Sequence, residues 1–544
     1  MSLDEIDGMD NLDNLSNIDD LSNEKDLVLR NTGNVTHISS NDLVEHVEIR
    51  PDLIAISCFE IIELSLARKL KVVPVKFEND IVTIAMANPS DLSAMDDLRY
   101  KLGNYDVIFV ASEENMINAA ISRWSRTVAQ SAESEVIKEF KTEATESNRV
   151  EEMDEDSGKM SKLILKMLEQ AVSLNASDVH IEPNENEVMV RFRVDGVLQP
   201  HTKYPLGVAN GIVNFFKVQG DMEVADRRRP QDGRFGKIIS GREVDFRIVT
   251  IPTAHGPEGI VIRLFDQSRA RLNIDEVGFH QHIVDPFIKV LESPHGMILV
   301  TGPTGSGKTT TLYASLGLIA TPDRKVLTIE DPVEIRFQGI TQVQVNEEAQ
   351  LTFSTALKSF LRADPDIMLV GEIRDSETAN LAAQAALTGH LVLSTLHTNE
   401  AAGAATRLVN LGLEPFIITS ALKGVLAQRL MRKLCRSCAE PFEASEEEIK
   451  SVKWPEDIEM PDMLWRANKN GCPTCDHSGY KGRLVVGELI LISDAVAQSI
   501  IEMNSSIDIE KIAITEGMKT LHYDAIKWVA EGATSLEEVK RAGV

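Results

Sequence analysis

Cysteine, aromatic residues and positive charge are all scarce in this chain of 544 residues. It has five cysteines, 5% aromatic residues, and 56 Lys and Arg against 84 Asp and Glu, which gives a formal net charge of −28. So few and such clustered thiols exclude the disulfide framework of a small secreted protein. The negative balance argues against a partner held mainly by its phosphates, so no direct nucleic-acid binding is expected.

Long hydrophobic runs are absent as well. No segment approaches the roughly 18 apolar residues that a membrane-spanning helix requires, and the N-terminus lacks a basic stretch followed by an apolar one. We therefore expect a cytoplasmic protein whose membrane association is peripheral and depends on partner proteins. The 43% of hydrophobic residues is ordinary for a globular protein.

Composition and hydrophobic periodicity change along the chain and predict a multidomain α/β protein. We expect an acidic, disordered leader, a small α/β domain, a flexible charged linker, a second domain of alternating strands, a short linker and a large α/β domain. The predicted segments, in that order, are 1–49, 50–125, 126–159, 160–266, 267–284 and 285–544. The last one includes a four-cysteine module at 432–487 and ends in a helical tail.

The most informative segment is an apolar strand that runs into a glycine-rich loop and then a helix-compatible stretch. The strand Ile298–Val300 precedes the pattern G-x-x-x-x-G-K-T. Such glycines let successive backbone N–H groups face phosphates at the N-terminus of a helix, while the lysine reaches the outer phosphates and the threonine hydroxyl coordinates magnesium. The pattern therefore predicts that ATP and Mg²⁺ bind here. The expected contacts are Gly302, Pro303, Thr304, Gly305, Ser306, Gly307, Lys308, Thr309 and Thr310.

Three further apolar strands each deliver polar side chains at an end. Glu330 and Glu334 follow one strand, Glu372 follows the next, and His390 and His397 flank the third. Because ligands bind at the carboxyl ends of parallel strands, these groups are expected near the γ-phosphate. One acid would hold magnesium and another would orient or deprotonate the attacking water. Spacing alone leaves open which acid takes which role.

Four of the five cysteines form two C-x-x-C pairs, Cys435 with Cys438 and Cys472 with Cys475. Paired knuckles of this kind can hold Zn²⁺ through four thiolates, in a structural site that is closed to chemistry. In a reducing cytoplasm a regulatory disulfide is less expected. The fifth, Cys58, lies in an apolar run and is predicted to be a buried core thiol.

With these motifs the chain resembles the secretion ATPase superfamily, and in particular the ATPases of type II secretion and type IV pilus assembly. The resemblance covers about 162–488 and, more loosely, 51–124. Besides the phosphate loop, it rests on six motifs in order. They are 176–183 (ASDVHIEP), 191–196 (RFRVDG), 229–234 (RPQDGR), the aspartate box 328–334, the Walker B segment 366–375 and the histidine box 388–398.

The resemblance implies a RecA-like ATPase core preceded by a PAS-like domain. In that family the residue matching Glu334 is the catalytic base, and the residue matching Glu372 helps to hold magnesium together with Thr309. The residues matching His390 and His397 couple nucleotide state to domain movement. Retraction-type pilus ATPases lack the cysteine insert, so its presence favours a role in assembly or secretion.

Arginines of the PAS-like domain reach the nucleotide in this family, and by motif position they match Arg247 and Arg263. A cation delivered in this way stabilises charge in the transition state. From the residues alone, solvent-facing arginines on alternating strands would be the simpler interpretation. The resemblance further implies a homohexamer at the cytoplasmic face of the inner membrane, recruited by platform proteins of a secretion or pilus system. Its activity would be assembly of pilin-like fibres.

Two alternative functions are weighed against this one. A DNA-translocating or conjugation ATPase shares the core, but the net acidity opposes it. A non-hydrolysing nucleotide sensor is disfavoured because Lys308, Thr309, Glu334 and Glu372 are all present. The N-terminal domain lacks the R-L-G-type repeat that binds cyclic di-GMP in some relatives, so that ligand is not predicted.

Overall fold

The computed structural model describes residues 29–37, 43–124 and 153–544, apart from residues 52, 79, 104, 122, 255 and 268–272. The chain divides into two compact units, Met1–Lys138 and Glu139–Val544. Both are mixed α/β structures, so the multidomain α/β prediction is confirmed. In the described part of the chain, no helix has the length and apolar character needed to cross a membrane.

The first unit is built on a five-stranded sheet in the order β1-β2-β5-β4-β3. Cys58 is 3% exposed in its core, where burial raises the pKa of the thiol, as predicted for a buried core cysteine. Phe59 and Trp124 stack beside it with ring centroids 5.2 Å apart. The elements are β1 (Leu29–His37), β2 (Leu43–Ile49), α1 (Leu64–Leu70), β3 (Val72–Glu78), β4 (Ile81–Met86), α2 (Leu92–Lys101) and β5 (Asp106–Ala111).

Two parts of the predicted disordered segments are ordered instead. β1 and β2 lie within 1–49, and they pair antiparallel with Val44, Val47 and Ile49 buried, so the prediction of disorder is wrong for 29–37 and 43–49. The alternation of apolar residues here is short and interrupted, which hides a strand within an acidic segment. Residues 1–28 lie outside the described part. Similarly, the helix predicted to open the second domain begins at Met153, inside the predicted linker 126–159.

The second unit begins with a six-stranded antiparallel sheet in the order β8-β7-β6-β11-β10-β9. Burial alternates along its strands: in β7, Val188, Val190 and Phe192 are buried and their neighbours are half-exposed. One face therefore packs in the core and the other remains accessible. The elements are α3 (Met153–Ser173), β6 (Asp178–Pro183), β7 (Glu187–Val194), β8 (Val197–Pro205), α4 (Ala209–Gln219), β9 (Gln231–Ile239), β10 (Arg242–Ile251) and β11 (Gly259–Asp266).

A seven-stranded sheet follows in the order β14-β13-β15-β16-β12-β17-β20, parallel except for β20 against β17. β12, β13, β15 and β16 are buried at every residue, as expected for parallel strands covered by helices on both faces. The strands are β12 (Gly296–Thr301), β13 (Val326–Glu330), β14 (Thr341–Gln344), β15 (Ile367–Val370), β16 (Leu391–Leu396), β17 (Leu422–Leu434) and β20 (Tyr480–Leu491).

Helices flank this sheet and form the C-terminal tail, and the cysteine module lies between β17 and β20. The helices are α5 (Gln281–Leu291), α6 (Lys308–Ile319), α7 (Phe353–Phe360), α8 (Ser376–Leu387), α9 (Gly403–Asn410), α10 (Pro415–Ala421), α11 (Glu446–Ser451), α12 (Asp494–Ile501), α13 (Ser506–Thr515), α14 (Leu521–Ala530) and α15 (Leu536–Ala542). The module also contains the short strands β18 (Glu440–Phe442) and β19 (Leu464–Arg466).

Candidate nucleotide and metal sites

The phosphate loop (302–309) connects β12 to the N-terminus of α6, as the sequence predicts. Gly302 has φ 141°, and a Cβ there would lie 2.4 Å from the Gln428 carbonyl oxygen on β17. Gly307 caps α6 with φ 90°. Both positions require glycine, because an L-residue would be strained and, at Gly302, would collide with a neighbouring strand. The loop thus curls tightly over the start of the helix.

Lys308 folds back over this loop. Its Nζ donates to the carbonyl oxygens of Gly302 at 2.8 Å and Pro303 at 3.1 Å. Burial lowers the pKa of Lys308, while the negative charge of Glu372 opposes that change. Thr309 is half-buried at the start of α6, and Thr310 is exposed. A cation, a hydroxyl and helix-terminal N–H groups therefore share one small region, which suits a bound phosphate chain.

The structure separates Glu330 from Glu334, which spacing alone could not do. Glu330 is 4% exposed, and one of its oxygens accepts a hydrogen bond from the Tyr313 hydroxyl. The other accepts from Thr328 Oγ1 at 2.6 Å and from Gln342 Nε2 at 3.2 Å. Burial, followed by the charge of Glu330, raises the pKa of the Tyr313 hydroxyl. Glu330 is thus committed to protein partners.

Glu334 lies instead beside the phosphate loop. Burial raises the pKa of its carboxyl, and the charge of Glu330 adds to this. Arg263, a hydrogen bond with Thr309, and Arg247 act in the opposite direction. Glu334 is therefore a partly desolvated carboxylate near Thr309 and two arginines.

Glu372 and His397 meet at the carboxyl end of the parallel strands. Glu372 follows β15 and pairs with Arg374, and its other oxygen lies 3.4 Å from His397 Nε2. His397 directly follows β16 and its side chain is 52% exposed. Since Glu372 also acts on Lys308, the acid, the histidine and the phosphate loop occupy the same edge of the sheet.

His390 lies at the other end of the same strand. It precedes Leu391, the first residue of β16, and its Nδ1 is 2.9 Å from the Ala385 carbonyl oxygen. The six residues of β16 extend about 20 Å. The expectation that both histidines approach the phosphates is therefore wrong for His390, because residues that bracket a strand are at opposite edges of its sheet.

Arg247 and Arg263 are cross-strand partners in the middle of β10 and β11. Their side chains are 46% and 54% exposed. Arg263 Nε donates to Asp178 Oδ1 at 3.1 Å, and Arg247 lies 3.9 Å from Asp232. The positive charges of both arginines lower the pKa of the Glu334 carboxyl, against the effect of its burial.

Two glutamines that the sequence did not indicate organise this region. Gln428 on β17 donates from Nε2 to the Ser306 carbonyl oxygen at 2.7 Å and accepts from Thr311 Oγ1 at 2.8 Å. Gln267 donates to Asp245 Oδ2 at 2.6 Å and to the Glu334 carbonyl oxygen at 3.1 Å. The first fixes the loop to the sheet, and the second joins the antiparallel sheet to the segment that carries Glu334. Neither belongs to a spaced motif, so no sequence signal was available.

The four cysteines of the two C-x-x-C pairs converge, with all four sulfur atoms within 4.8 Å of one another. The Sγ atoms of Cys435 and Cys472, of Cys438 and Cys475, and of Cys472 and Cys475 are each 3.8 Å apart. Thiolates about 2.3 Å from a tetrahedral zinc ion are about 3.8 Å from one another, so the residues fit that ion.

Backbone donors support one thiolate in this cluster. The N–H groups of Cys472 and Gly479 each donate to Cys475 Sγ at 3.2 Å. A hydrogen bond from Cys435, together with these backbone donors, lowers the pKa of the Cys475 thiol to about 4 despite its burial. Gly471 has φ 55°, and a Cβ there would lie 2.3 Å from the His477 backbone, so the second knuckle needs this glycine.

A family model described as "Type II/IV secretion system protein" matches residues 153–541, which is more than half of the chain. The chain belongs to this family. A second model, the MshEN domain, matches residues 43–131. In this chain, the stretch matched by the first model contains the antiparallel sheet, the phosphate loop and the cysteine region.

Several secretion proteins are similar over most of the chain. The type IV pilus assembly ATPase PilB of Myxococcus xanthus is 40% identical over 500 residues, 90% of this chain and 87% of that protein. The type II secretion system ATPase E of Vibrio cholerae is 46% identical over 387 residues, 71% of this chain and 76% of that protein. The PilB of Thermus thermophilus is 40% identical over 478 residues, which are 87% of this chain and 53% of that longer relative.

The fold of this family member also resembles that of a solved structure. The X-ray structure of the Legionella pneumophila ATPase DotB aligns with a TM-score of 0.52, covering 70% of this chain and 96% of that chain at 22% identity. At this identity the likeness concerns the fold alone. The chain is thus a homologue of pilus assembly and type II secretion ATPases, with the general fold of a secretion ATPase.

Proposed function

We propose that this chain is a Mg²⁺-dependent ATPase that powers the assembly of pilin-like fibres, for type II secretion or for a type IV pilus. The observation that carries the proposal is the convergence of Lys308, Thr309, Glu334 and Glu372 beside the glycine-rich loop. Residues of this kind on one sheet edge suit phosphoryl transfer to water, which depends on positioning and electrostatic stabilisation.

In the proposed mechanism, Lys308 and the N–H groups of the loop hold the phosphates, and Glu334 accepts a proton from the attacking water. A carboxyl whose pKa is raised by burial is a better base at neutral pH than an ordinary glutamate. Thr309 and Glu372 would hold magnesium, since both offer oxygen ligands. When bound, that ion neutralises charge on the outer phosphates.

Two further groups would respond to the nucleotide. Arg247 and Arg263 would supply positive charge to the transferred phosphoryl group when the antiparallel sheet closes onto the loop. His397, in contact with Glu372, would couple the state of the phosphates to that movement. We do not assign His390 a place beside the nucleotide.

The same proposal names the domains. We infer an N-terminal docking domain that extends from Leu29 to about 125, a PAS-like domain at 160–266, an interdomain linker at 267–284 and a RecA-like ATPase domain at 285–544. The five-stranded, six-stranded and seven-stranded sheets support the three domains. Head-to-tail contacts between ATPase domains would close a homohexameric ring.

The chain would act in the cytoplasm, at the inner face of the inner membrane. Its membrane contact would pass through platform and recruiting proteins of the secretion or pilus system. With a formal net charge of −28, direct nucleic-acid binding is not part of the proposal.

We further propose that Cys435, Cys438, Cys472 and Cys475 hold one structural Zn²⁺. The sulfur spacing of 3.8 Å supports this, as does the burial of Cys435 and Cys475. In Cys472→Ser we expect loss of about one zinc per chain and a lower thermal midpoint, because metal binding to a folded site contributes folding free energy. Metal analysis and thermal unfolding check this, with the exposed Ser437→Ala as control. The proposal would be contradicted if protein purified with all four cysteines as free thiols contained no zinc.

The first experiment is Mg²⁺-dependent ATP hydrolysis by the full chain across protein concentration. We expect turnover per chain to rise with concentration as the ring assembles, and Glu334→Gln to lose at least about 10²-fold in kcat while still binding ATP. The exposed Glu185→Gln serves as a matched control and should retain wild-type turnover. Unchanged turnover in Glu334→Gln would overturn the base assignment, and stimulation by duplex DNA would favour a DNA translocase.

A further inference from the structure

A second group of metal-ligating side chains lies away from the phosphate loop and from the four cysteines. His280 and His282 stand at the start of α5, and Asp524 lies on α14. One ligand atom from each residue lies within 4.8 Å of the other two. Asp524 Oδ1 is 2.6 Å from His280 Nδ1 and 3.3 Å from His282 Nε2. The proposed ATPase mechanism uses none of these residues.

We propose that His280 Nδ1, His282 Nε2 and Asp524 Oδ1 form a binding site for a divalent transition ion, with zinc as the best chemical match. Two imidazole nitrogens and a carboxylate oxygen are a set that zinc accepts, and they leave a fourth tetrahedral position for water. Hard cations such as Mg²⁺ prefer oxygen ligands and are not expected here.

The carboxylate is oriented for this role. Asp524 is fully buried, and its Oδ2 accepts from the Gly487 N–H at 2.9 Å. That backbone bond from β20 leaves Oδ1 directed at both imidazoles. A buried carboxylate facing two histidines requires positive charge nearby, and an ion between the three groups would provide it.

His280 has the surroundings of a metal ligand. Its Nε2 lies 3.2 Å from Glu531 Oε2, while Lys527 holds the other oxygen of Glu531 at 3.1 Å. Trp528 stacks on the ring at 3.9 Å and is itself anchored by a 3.0 Å bond from its Nε1 to the Val485 carbonyl oxygen. Metal-bound histidines commonly donate their second N–H to a carboxylate, which fixes the tautomer and the ring plane.

His282 distinguishes a metal site from a network of hydrogen bonds. In the described part of the chain, its Nε2 is buried and has no hydrogen-bond partner, although Asp524 Oδ1 is only 3.3 Å away. An imidazolium at His280 bridging Asp524 and Glu531 would satisfy those three residues and leave this nitrogen unused. A shared ion accounts for it.

Such an ion would join two parts of the ATPase unit. α5 leads directly into β12 and the phosphate loop, whereas α14 packs against β20. The ion would therefore fasten the C-terminal helices to the helix that precedes the nucleotide site. The ion would lie near the C-terminal end of the interdomain linker 267–284, at a site separate from the zinc held by the four cysteines.

The test uses the full chain stripped of metal and reloaded with one equivalent of zinc, which fills the four-thiolate site and leaves the second site empty, and titrates Co²⁺ as the probe. We expect wild type to bind one further equivalent, with a cobalt spectrum that lacks thiolate-to-cobalt charge-transfer bands. His282→Gln and His280→Gln should each lose that equivalent and keep the zinc. The exposed His295→Gln should behave as wild type. The wild-type spectrum tests the proposal even if a variant fails to fold.

Two results would overturn the inference. One is that wild type takes up no cobalt beyond the thiolate site, which would mean that His280, Asp524 and Glu531 form only a hydrogen-bond network. The other is that the further equivalent persists unchanged in both His280→Gln and His282→Gln. Neither result bears on ATP hydrolysis, so failure here leaves the proposed function standing.

Discussion

The antiparallel sheet and the parallel sheet of the second unit place functional side chains in different ways. Every residue of β12, β13, β15 and β16 is buried, so their side chains can reach a ligand only from the strand ends. Burial alternates in β10, and its mid-strand Arg247 is exposed beside Arg263 of β11. The parallel sheet thus offers one edge, whereas the antiparallel sheet offers a whole face.

The two sheets differ in how firmly they hold a functional side chain and in how that side chain can approach a ligand. Glu330 and Glu372 lie at or just after the ends of strands that are buried on both faces. The packed core of the parallel sheet therefore holds these side chains in place. In the proposed mechanism, the charged face of the antiparallel sheet approaches the phosphate loop as a body, which requires no change in the core of that sheet. We therefore expect mid-strand substitutions to change turnover in one sheet and stability in the other.

The largest expected effect comes from the accessible face. Arg263→Ala should lower kcat about 10³-fold, because a cation delivered to the transferred phosphoryl group is worth about 10³–10⁵ in rate. ATP binding and the thermal midpoint should be nearly unchanged. Steady-state hydrolysis and nucleotide binding measure this. Arg242→Ala on the same sheet is the control, since Arg242 contacts Asp266 and Asn175. Wild-type turnover in Arg263→Ala would contradict a role for Arg263 in the transition state and favour the interpretation that it only faces solvent.

The next effect is on stability and belongs to the parallel sheet. Leu393 lies in the middle of β16 with no exposed surface. Leu393→Ala should cost about 2–5 kcal/mol, the usual range for deleting a buried leucine side chain. Chemical unfolding of the full chain would show an earlier transition. Ile251→Ala in β10 is the comparison, because Ile251 is 47% exposed and its loss should cost under about 0.5 kcal/mol. Equal losses of unfolding free energy in Leu393→Ala and Ile251→Ala would contradict the proposed difference between the two sheets.

The smallest effect is a pH dependence at the strand end. Burial raises the pKa of Glu334, so the acid limb of kcat should lie above the ordinary glutamate value, with turnover falling about tenfold per pH unit below it. The pH profile of kcat measures this limb, and a profile flat down to the ordinary glutamate pKa would contradict it.

Stability gives an independent check on the same group. A raised folded-state pKa contributes stability below the unfolded pKa, and that contribution is lost as pH rises through the folded value. Glu334→Gln should therefore unfold at a higher temperature than wild type at neutral pH. The two proteins should converge in acid.

The sequence predicted the parts of the site that are contiguous in the chain. The phosphate loop and the C-x-x-C pairs have fixed spacings, and each spacing reflects one local geometry. Glu330 and Glu334 could not be distinguished, because their difference lies in partners such as Tyr313 and Arg263 from other elements.

Other features depend on how distant segments meet. His390 precedes β16 and His397 follows it, so the two histidines lie at opposite edges of the sheet although they are only seven positions apart in the sequence. The arginines needed the family resemblance, since exposed residues on an alternating strand carry no signal of their own. His280 and Asp524 are 244 residues apart, and no spacing connects them.

The position of the cysteine module has an evolutionary consequence. The module is inserted at the end of a hairpin formed by the adjacent antiparallel strands β17 and β20. Leu434 pairs with Tyr480 at the place where the module begins and ends. A short turn could close that hairpin, so the insert can be gained or lost without changing the order of the strands. Val452 and Leu464, however, are buried in the same core as the C-terminal helices. A lineage that lost the insert would have to replace that apolar contact, and we expect compensating polar substitutions on its C-terminal helices.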